Sequence, residues 1–321
     1  PKTQLEQLEK GTDILVATPG RFLDLYLRGG IDTKMLKTLV LDECDRMMDM
    51  GFMPQLRNIL EVIPSKRQNL LFSATFPARV EKLSEEFLLW PTKIEVSPQA
   101  TPVATVNQFK TPVPNIRTKL HYVAHLLENE YAEERALVFV RTKEQAEQIS
   151  KYLERTISGG VRALHSNKGQ NTRLHSMSLF RDGAIRVLVS TDVASRGIDV
   201  PETKLVINCT VPRNSSDYVH RIGRTGRAFT EGIAHTLFDP SEKLYLDSIE
   251  GNLPSKNEII ECDMPSSIPV EETPPWEAKQ MAKDIDFQKR KADPNYKGAF
   301  HEKKKKSSSS KSRTSSRRLR K

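Results

Sequence analysis

Cysteine is scarce in this sequence, and long apolar runs are missing from it. Cys44, Cys209 and Cys262 stand far apart, without a Cys-x-x-Cys pair or a matching histidine cluster. This spacing argues against a zinc site and a disulfide framework, and it fits a reducing cytoplasm. No apolar run is long enough for a membrane-spanning helix, so we expect no contact with a membrane. The chain begins with Pro1 and its first methionine is Met35, so we expect that further residues precede it.

The basic charge of the chain is concentrated at one end. The 321 residues are enough for about two domains of roughly 150 residues each. Residues 301–321 contain ten Lys or Arg against Glu302 alone, which equals the whole formal net charge of +9. This stretch has almost no apolar side chains to bury, and we therefore expect it to be a disordered basic tail.

Short apolar runs alternate with helical patterns along the rest of the chain. Apolar residues repeat at helical spacing within residues 143–155 and again at Leu174, Met177 and Phe180. Alternation of strands and helices predicts βαβ units and a doubly wound α/β fold. The apolar runs that predict buried parallel strands are Ile14–Ala17, Thr38–Leu41, Leu70–Phe72, Ala136–Val140, Val187–Val189 and Leu205–Ile207.

Breaks in this alternation predict the domain boundaries. Residues 99–105 are mainly Pro, Gln, Ala and Thr without periodicity, as in a linker. We therefore place a first domain at residues 1–98, the linker at 99–105 and a second domain at 106–254. Beyond residue 254 the prolines cluster and the periodicity fades. Residues 255–321 are expected to form a largely disordered tail, rich first in Pro and then in Lys, Arg and Ser.

Acidic residues follow one of the predicted strands. The run Thr38–Leu41 leads directly into Asp42, Glu43 and Asp45. Ligands of open α/β sheets bind at the carboxyl ends of strands, where these carboxylates could meet a metal-bound nucleotide. Taken alone, however, such a cluster is more typical of Asp42 capping the next helix.

Further short segments accompany this acidic cluster in one fixed order. With the Asp-Glu-Cys-Asp spelling of residues 42–45, this order resembles that of superfamily-two helicases of the DEAD-box family. The resemblance extends from about Gly11 to Asp239, and residues 165–168 with the basic tail make it most similar to the bacterial RhlE type. It implies an ATP-dependent RNA helicase of two tandem RecA-like domains, the first of them incomplete. The segments are Thr18–Arg21, Ser73–Thr75, Phe139–Thr142, Gln170–Arg173, Ser190–Asp199 and His220–Arg227.

The resemblance assigns the chemistry of phosphoryl transfer to particular residues. This reaction needs a metal between phosphates, an oriented water and cations for the developing charge. Asp42 is implied to be the Mg²⁺-associated carboxylate, Glu43 to orient or deprotonate the attacking water, and Arg224 and Arg227 to be arginine fingers. A solvated basic turn is the alternative for these arginines. The other residues implied to contact ATP or to couple it to domain closure are Asp45, Ser73, Thr75, Arg196, Asp199 and His220.

Several of these residues also have a purely structural explanation. Ser73 and Thr75 could make only structural hydrogen bonds, and His220 could be a packed histidine. Cys44 takes the place of the usual alanine and is expected to pack in the core. The tail could be a solubilising extension or an electrostatic RNA tether.

The RNA partner is expected to be held through its sugar–phosphate backbone. Hydroxyls, main-chain amides and arginine suit phosphate contacts that do not read bases. The positions that match the family's backbone contacts are Thr18, Gly20, Arg21, Thr191 and Gly197.

The sequence also lacks segments that the family requires. No Gly-x-x-x-x-Gly-Lys-Thr phosphate loop occurs in it, nor does the adenine-reading glutamine segment. We therefore expect an N-terminally truncated helicase that does not hydrolyse ATP alone and whose first domain is marginally stable. One alternative is a nucleotide-independent RNA-binding or annealing module, made of the second domain and the tail. Another is a DNA-directed helicase, because phosphate contacts hardly distinguish RNA from DNA.

Overall fold

The computed structural model describes residues 2–95, 105–192, 203–226, 231–253, 258–293 and 295–296. Within these ranges the chain forms two α/β units: the first unit is residues 2–95 and the second unit is residues 105–296. The limits of the predicted linker at 99–105 stay a prediction, because residues 96–104 lie outside the described ranges. No helix in the described ranges is both long and apolar enough to span a membrane.

The first unit is built on two parallel strands. β1 (Thr38–Leu41) pairs with β2 (Gln68–Leu71) so that Leu41 lies opposite Leu71. Val80, Leu83 and Phe87 share one face of the last helix and pack into a small core with Leu41. The helices of this unit are α1 (Lys2–Leu8), α2 (Pro19–Leu27), α3 (Cys44–Asp49), α4 (Met53–Val62) and α5 (Ala78–Phe87).

The predicted strand at Ile14–Ala17 is wrong. These residues belong to no helix or strand, and Ile14 and Val16 are 82% and 92% exposed. A parallel strand needs a neighbour for its backbone groups, but in the described part of the first unit β1 and β2 pair only with each other. Val40 and Phe72 are also half exposed at this sheet. Two strands give little independent stability, and the incompleteness of the first sheet stays a prediction.

The second unit contains a sheet of seven parallel strands in the order β5-β6-β4-β7-β8-β3-β9. Its centre confirms the predicted strands, because β4, β6 and β7 are the apolar runs and are fully buried. The strands are β3 (Val106–Pro112), β4 (Ala136–Val140), β5 (Val161–Leu164), β6 (Val187–Thr191), β7 (Leu205–Asn208), β8 (Gly232–Phe238) and β9 (Ile260–Glu261).

Helices cover both faces of this sheet. Val138 packs in one apolar cluster with side chains of α6 and α7, whereas its neighbour Leu137 packs in another cluster with α8. Alternate residues of β4 thus enter opposite cores, which confirms the doubly wound α/β fold. The helices are α6 (Ile116–His125), α7 (Lys143–Thr156), α8 (Gln170–Arg181), α9 (Ser215–Ile222) and α10 (Lys243–Glu250), and a π-helical turn (Leu126–Glu130) follows α6.

Side-chain caps determine where three of these helices begin. Asn115 accepts a hydrogen bond from the amide of Thr118, and Asn214 accepts one from the amide of Asp217. Thr142 forms a reciprocal capping box with Gln145 at the start of α7. Such caps contribute about 1 kcal/mol each. They start α6, α7 and α9 shortly after the carboxyl ends of β3, β4 and β7, where ligands of such sheets bind.

The expected disorder from residue 255 onward does not hold for residues 258–293. β9 pairs with β3, and an eighteen-residue helix, α11 (Pro275–Ala292), follows it. The buried side chains of α11 include Glu277, Asp286 and Gln288. Because polar residues occupy its buried positions, the apolar pattern of the sequence did not reveal this helix. Residues 297–321 lie outside the described ranges.

Candidate active site

The carboxyl ends of the two strands of the first unit meet at one edge of the sheet. β1 leads into Asp42 and Glu43, and β2 leads towards Ser73. The strands are parallel neighbours, so their exits lie side by side. The amide of Cys44 donates to the carbonyl of Phe72 at 3.1 Å, which joins the two exits directly.

Asp45 is the centre of a hydrogen-bond network at this edge. It is 1% exposed, and its Oδ2 accepts from the hydroxyl and the amide of Thr75 at 2.7 and 3.0 Å. Its Oδ1 accepts from the amide of Arg46 at 2.9 Å. The Ser73 hydroxyl accepts from the Asp45 amide at 3.1 Å and donates to the Thr75 carbonyl at 2.7 Å. These bonds hold the carboxylate in one orientation, and we call them the Asp45 network.

The Asp45 network extends into the second unit. The hydroxyl of Ser216, on α9, donates to Asp45 Oδ2 at 3.2 Å. Burial raises the pKa of Asp45, but the bonds from Thr75 and Arg46 and the charge of nearby His220 outweigh it, so the pKa lies below its ordinary value. The carboxylate is therefore ionised at neutral pH, and it links the first unit to α9.

Asp42 and Glu43 lie at the rim of this network. The exposed Asp42 accepts from the amide of Glu43 at 2.8 Å. Glu43 has φ +52° and ψ +48°, a left-handed conformation that costs about 1–2 kcal/mol for a residue with a side chain. Its carboxylate accepts from Arg46 Nη1 at 3.2 Å and keeps 43% of its side chain exposed. Both carboxylates thus remain accessible to a ligand.

Asp42 fits a metal ion that arrives with a nucleotide. Mg²⁺ usually keeps several waters and is bound by one or two carboxylates together with substrate phosphates. A single exposed carboxylate at a strand end suits that role. Among the described residues, no group of three or more His, Cys, Asp or Glu side chains could hold a metal ion without such a substrate.

Cys44 packs in the core, as expected. Its side chain is fully buried, and the thiol lies 3.6 Å from the carbonyl oxygen of Leu41. Burial, together with the charges of Asp45 and Asp42, raises the pKa of the Cys44 thiol to about 12. The thiolate is therefore not available as a nucleophile near neutral pH.

Arg221 is a functional candidate that the sequence analysis did not single out. It is 2% exposed and donates from Nε and Nη2 to the two carboxylate oxygens of Asp192 at 2.6 and 2.8 Å. Its Nη1 donates to the carbonyl of Thr210 at 2.6 Å. Asp192 directly follows β6, so Arg221 ties the start of the segment after β6 to α9. Helical spacing could have revealed this role, because Tyr218, Arg221 and Ile222 share one face of the helix. An arginine on a buried face needs an anionic partner.

Ser216 is the other residue that was missed. Nothing in the sequence distinguishes it from Ser215 beside it, because both are short hydroxyl residues in the first turn of α9. Ser216 differs only because the first unit contacts this helix and brings Asp45 within hydrogen-bond distance. A local sequence pattern does not predict a contact between distant segments.

Arg224 lies in the turn that follows α9. It is half-buried, and its carbonyl accepts from the amide of Thr203 at 3.1 Å. Gly226, in the same turn, has φ +70°, and a Cβ there would lie 2.7 Å from a methyl carbon of Val106. The turn therefore needs glycine in order to pack against the start of β3. Four predicted site residues lie outside the described ranges, namely Arg196, Gly197, Asp199 and Arg227.

The predicted RNA contacts in the first unit gather at the start of α2. Thr18 and Gly20 are exposed there, and no side chain caps the amides of the first turn. Arg21 donates to Asp24 at 2.5 Å and to Gln4 at 2.9 Å. Within the described ranges, no hydrogen bond joins this cluster to the Asp45 network. Thr191, the predicted contact in the second unit, is buried at the end of β6.

Two family profiles match the chain, one for each unit. The profile of the DEAD/DEAH box helicases matches residues 1–83, and that of the helicase conserved C-terminal domain matches residues 118–229. Together they cover more than half of the chain. They divide it as the two sheets do, the first profile matching the unit with β1 and β2.

Known relatives agree with both profiles. DEAD-box ATP-dependent RNA helicase 40 of Oryza sativa is 38% identical over 81% of this chain and 33% of its own length. DEAD-box ATP-dependent RNA helicase CshA of Bacillus subtilis is 39% identical over 77% of this chain and 49% of its own length. The chain thus spans between a third and a half of the length of these relatives.

A solved structure shares the arrangement of the two units. Dbp5 of S. cerevisiae, solved bound to RNA and ADP BeF3, is 27% identical and covers 84% of this chain and 68% of its own, with a TM-score of 0.67. The agreement extends over both units and not only the second. With both profiles, the motif order and the relatives in accord, the chain belongs to the DEAD-box RNA helicase family.

Proposed function

We propose that this chain contains the two faces of an ATP-dependent RNA helicase that close on one magnesium nucleotide. The hydrogen bond between Asp45 and Ser216 carries this proposal. Asp45 stands beside Asp42 and Glu43, and Ser216 begins the helix that leads into the Arg224 turn. The contact therefore sets the acidic edge of the first unit against the start of α9, and this short helix of eight residues leads to the Arg224 turn.

In the proposed reaction, each face supplies one kind of group. Asp42 binds the Mg²⁺ that accompanies ATP, and Glu43 orients the attacking water and accepts its proton. Arg224 and Arg227 neutralise charge that develops on the γ-phosphate, a contribution of about 10³–10⁵ in rate for this class of enzyme. Arg196 and Asp199 complete the nucleotide contacts from the second unit. The RNA and ADP BeF3 bound in the similar Dbp5 structure support RNA and ATP as the ligands.

Closure of the two units is proposed to depend on the Asp45 network. A carboxylate that accepts bonds from Thr75 on one side and Ser216 on the other responds to the position of both units. Ser73 and His220 complete this link between the ATP site and α9. Because these groups are hydrogen-bonded at fixed positions, a displacement of the bound phosphate would alter the contact between the units.

RNA is proposed to bind through its backbone. The exposed amides at the start of α2, beside Thr18 and Gly20, suit a phosphate, because a helix N-terminus favours anions. Arg21 adds a cation there, while Thr191 and Gly197 add contacts from the second unit. Binding of this kind holds a strand independently of its sequence and, with ATP-driven closure, would separate short duplexes locally.

The finer classification is also a proposal. We infer that the chain is a truncated form of a bacterial RhlE-type enzyme acting in the cytoplasm, and that the phosphate loop belongs to residues preceding Pro1. The chain spans less than half of its curated relatives, and its sequence contains no phosphate loop. Without that loop, the arginines of the second unit have no fixed phosphates to contact.

Measured ATP hydrolysis tests the proposal. We expect no hydrolysis by this chain alone, and RNA-stimulated hydrolysis once the residues encoded upstream of Pro1 are restored, because only then do both faces enclose the phosphates. DNA of equal length should stimulate less, since it lacks the 2′-hydroxyl. Hydrolysis that stays absent, or that ignores RNA, in the extended chain would refute the proposal.

A second function is favoured by the difference between the two sheets. The second unit has seven paired strands, whereas the first has two among the described residues. The second unit and the basic tail could therefore act as a nucleotide-independent RNA-binding or annealing module. RNA binding that ignores ATP analogues and survives removal of residues 1–105 would favour this function. Strict dependence on the analogue would exclude it.

A further inference from the structure

Helix α11 is fixed to the second unit near both of its ends. Near its start, the carboxylate of Glu277 accepts from the amide of Ile116 at 2.8 Å, where α6 begins. Near its end, the side-chain amide of Gln288 donates to the carbonyl of Ser241 at 2.7 Å. Both side chains are buried, at 7% exposure. The helix is therefore held in one orientation, and its opposite face points away from the unit.

This outward face combines aromatic and basic side chains. At about 100° per residue, Trp276, Gln280, Lys283, Phe287 and Lys291 fall on one side of the helix. Trp276 and Phe287 are 67% and 64% exposed. Both rings therefore offer apolar surface to a partner along one face of the helix.

Basic side chains outnumber acidic ones on this face and at its edges. Lys283 and Lys291 are exposed on it, and the exposed Lys279 lies beside it, about 40° further around the helix. Of the three acidic residues of the helix, Glu277 is buried against α6 and Asp286 pairs with Arg290 at 2.9 Å, whereas Asp284 accepts from Gln280 at 3.0 Å at the edge of this face. A polyanion therefore complements this surface better than an apolar or basic partner does.

We propose that the outward face of α11 is an auxiliary binding site for single-stranded RNA. Trp276 and Phe287 stack on bases, and the three lysines contact the phosphates between them. Exposed aromatic rings flanked by cations are the usual means of holding single strands without reading their sequence. The rings are separated by eleven helical residues, about 16 Å along the axis, so several nucleotides span them. The choice of RNA as the ligand rests on the proposed function.

Tryptophan fluorescence provides a local test. The chain has only two tryptophans, Trp90 and Trp276, so the variant Trp90→Phe leaves Trp276 as the single reporter. We expect a fluorescein-labelled twenty-nucleotide oligouridylate to quench Trp276 without added nucleotide. The quenching should saturate at the RNA concentration at which the anisotropy of the label saturates.

Substitutions separate stacking from charge. Replacing both Trp276 and Phe287 with alanine should weaken binding of the oligouridylate about tenfold or more, given the usual strength of base stacking. Changing Lys279, Lys283 and Lys291 to glutamine should reduce the slope of log affinity against log salt by about 2, at roughly 0.7 per phosphate contact. These side chains are exposed, so the variants should fold.

Matched variants exclude general effects of losing an exposed ring or charge. Trp90→Ala removes a ring that is 98% exposed in the first unit, and Lys151→Gln removes an exposed charge on α7. Both should bind RNA as the unaltered chain does. If the oligouridylate binds but leaves Trp276 fluorescence and all α11 variants unchanged, the site is refuted and the face belongs to another partner, while the proposed function stands. Failure of the helicase proposal itself would appear instead as absent RNA-stimulated ATP hydrolysis in the extended chain.

Discussion

Replacing Glu43 with glutamine is expected to slow RNA-stimulated ATP hydrolysis by about 10²–10⁴-fold in the chain extended to include the phosphate loop. Glutamine keeps the size and the hydrogen-bonding reach of the side chain but accepts no proton from the attacking water. The left-handed backbone at Glu43 leaves its carboxylate at the accessible rim of the site. The effect should therefore fall on the chemical step, as measured by single-turnover hydrolysis.

The binding steps serve as the internal control for this substitution. Affinity for ATP and for RNA should change by no more than a few-fold, since Asp42 and the basic turn are intact. Glu85→Gln, on the exposed side of α5, should leave the rate unchanged. A Glu43→Gln rate within a few-fold of the original would show that another group activates the water.

Replacing Lys119 with methionine is expected to lower the free energy of unfolding by about 3–5 kcal/mol, since it removes the buried cation that Asp239 and the buried Glu242 share. Lys119 is 1% exposed, and its Nζ contacts Asp239 at 3.1 Å and also Glu242. Burial alone would lower the pKa of Lys119, but the two carboxylates outweigh burial and raise it, so the amine is charged. Methionine fills the same space without the charge, and urea denaturation would measure the loss.

A more exposed lysine provides the control. Lys110, on β3, pairs with Glu250 at 2.7 Å, but 16% of its side chain is exposed and Glu261 beside it is 61% exposed. Solvent reduces the value of such a pair, so Lys110→Met should cost about 1 kcal/mol or less. Equal losses for the two variants would mean that burial of the carboxylates around Lys119 does not set the cost.

The same cluster explains one of the sequence motifs. Arg141 donates to Glu242 at 2.9 Å and to the carbonyl of Val211 at 3.3 Å. Glu242 accepts from Arg141 after β4, from the amide of Val211 after β7, and from Lys119 on α6. It thus joins these three segments. The motif at residues 139–142 therefore contributes to the stability of the second unit at the sheet edge that leads into α9.

The sequence predicted the centre of the fold better than its margins. β4, β6 and β7 are buried on both faces and so appear as continuous apolar runs. β3 and β8 were missed because buried polar residues interrupt them. Gln108 in β3 accepts a hydrogen bond from the Tyr218 hydroxyl at 2.9 Å, and His235 in β8 bonds to Tyr131 at 3.1 Å. These partners are distant in sequence, so local patterns could not reveal them.

The candidate site likewise has parts that local sequence patterns predicted and parts that they did not. The position of Asp42, Glu43 and Asp45 at a strand end could be predicted because they directly follow an apolar run, whereas their roles were implied only by the family resemblance. Ser216 and α11 could not be predicted, because their roles depend on contacts between segments that are far apart in the chain. The strand prediction for Ile14–Ala17 was wrong because an apolar pattern alone does not make a strand. In the described chain these residues have no neighbouring strand to pair with.

The pH at which the two units are held together follows from Asp45. Burial raises its pKa, but the bonds from Thr75 and Arg46 and the charge of His220 outweigh burial and lower the pKa from the ordinary 3.8, so the Asp45 network favours the ionised carboxylate. The stabilisation is fully present above the ordinary pKa and is lost as the pH falls through the lower value in the folded protein. Measurements near neutral pH therefore report the full strength of the contact.

A double-mutant cycle across the two units tests the central claim most directly. Asp45→Asn, Ser216→Ala and the double variant of the extended chain would be compared by RNA affinity in the presence of ADP and beryllium fluoride. Because the two side chains are hydrogen-bonded, the losses should be non-additive by at least about 0.5 kcal/mol. Ser215→Ala, its neighbour on α9, should combine additively with Asp45→Asn. Additive losses for Asp45 and Ser216 as well would mean that the acidic edge and α9 do not meet in the closed enzyme.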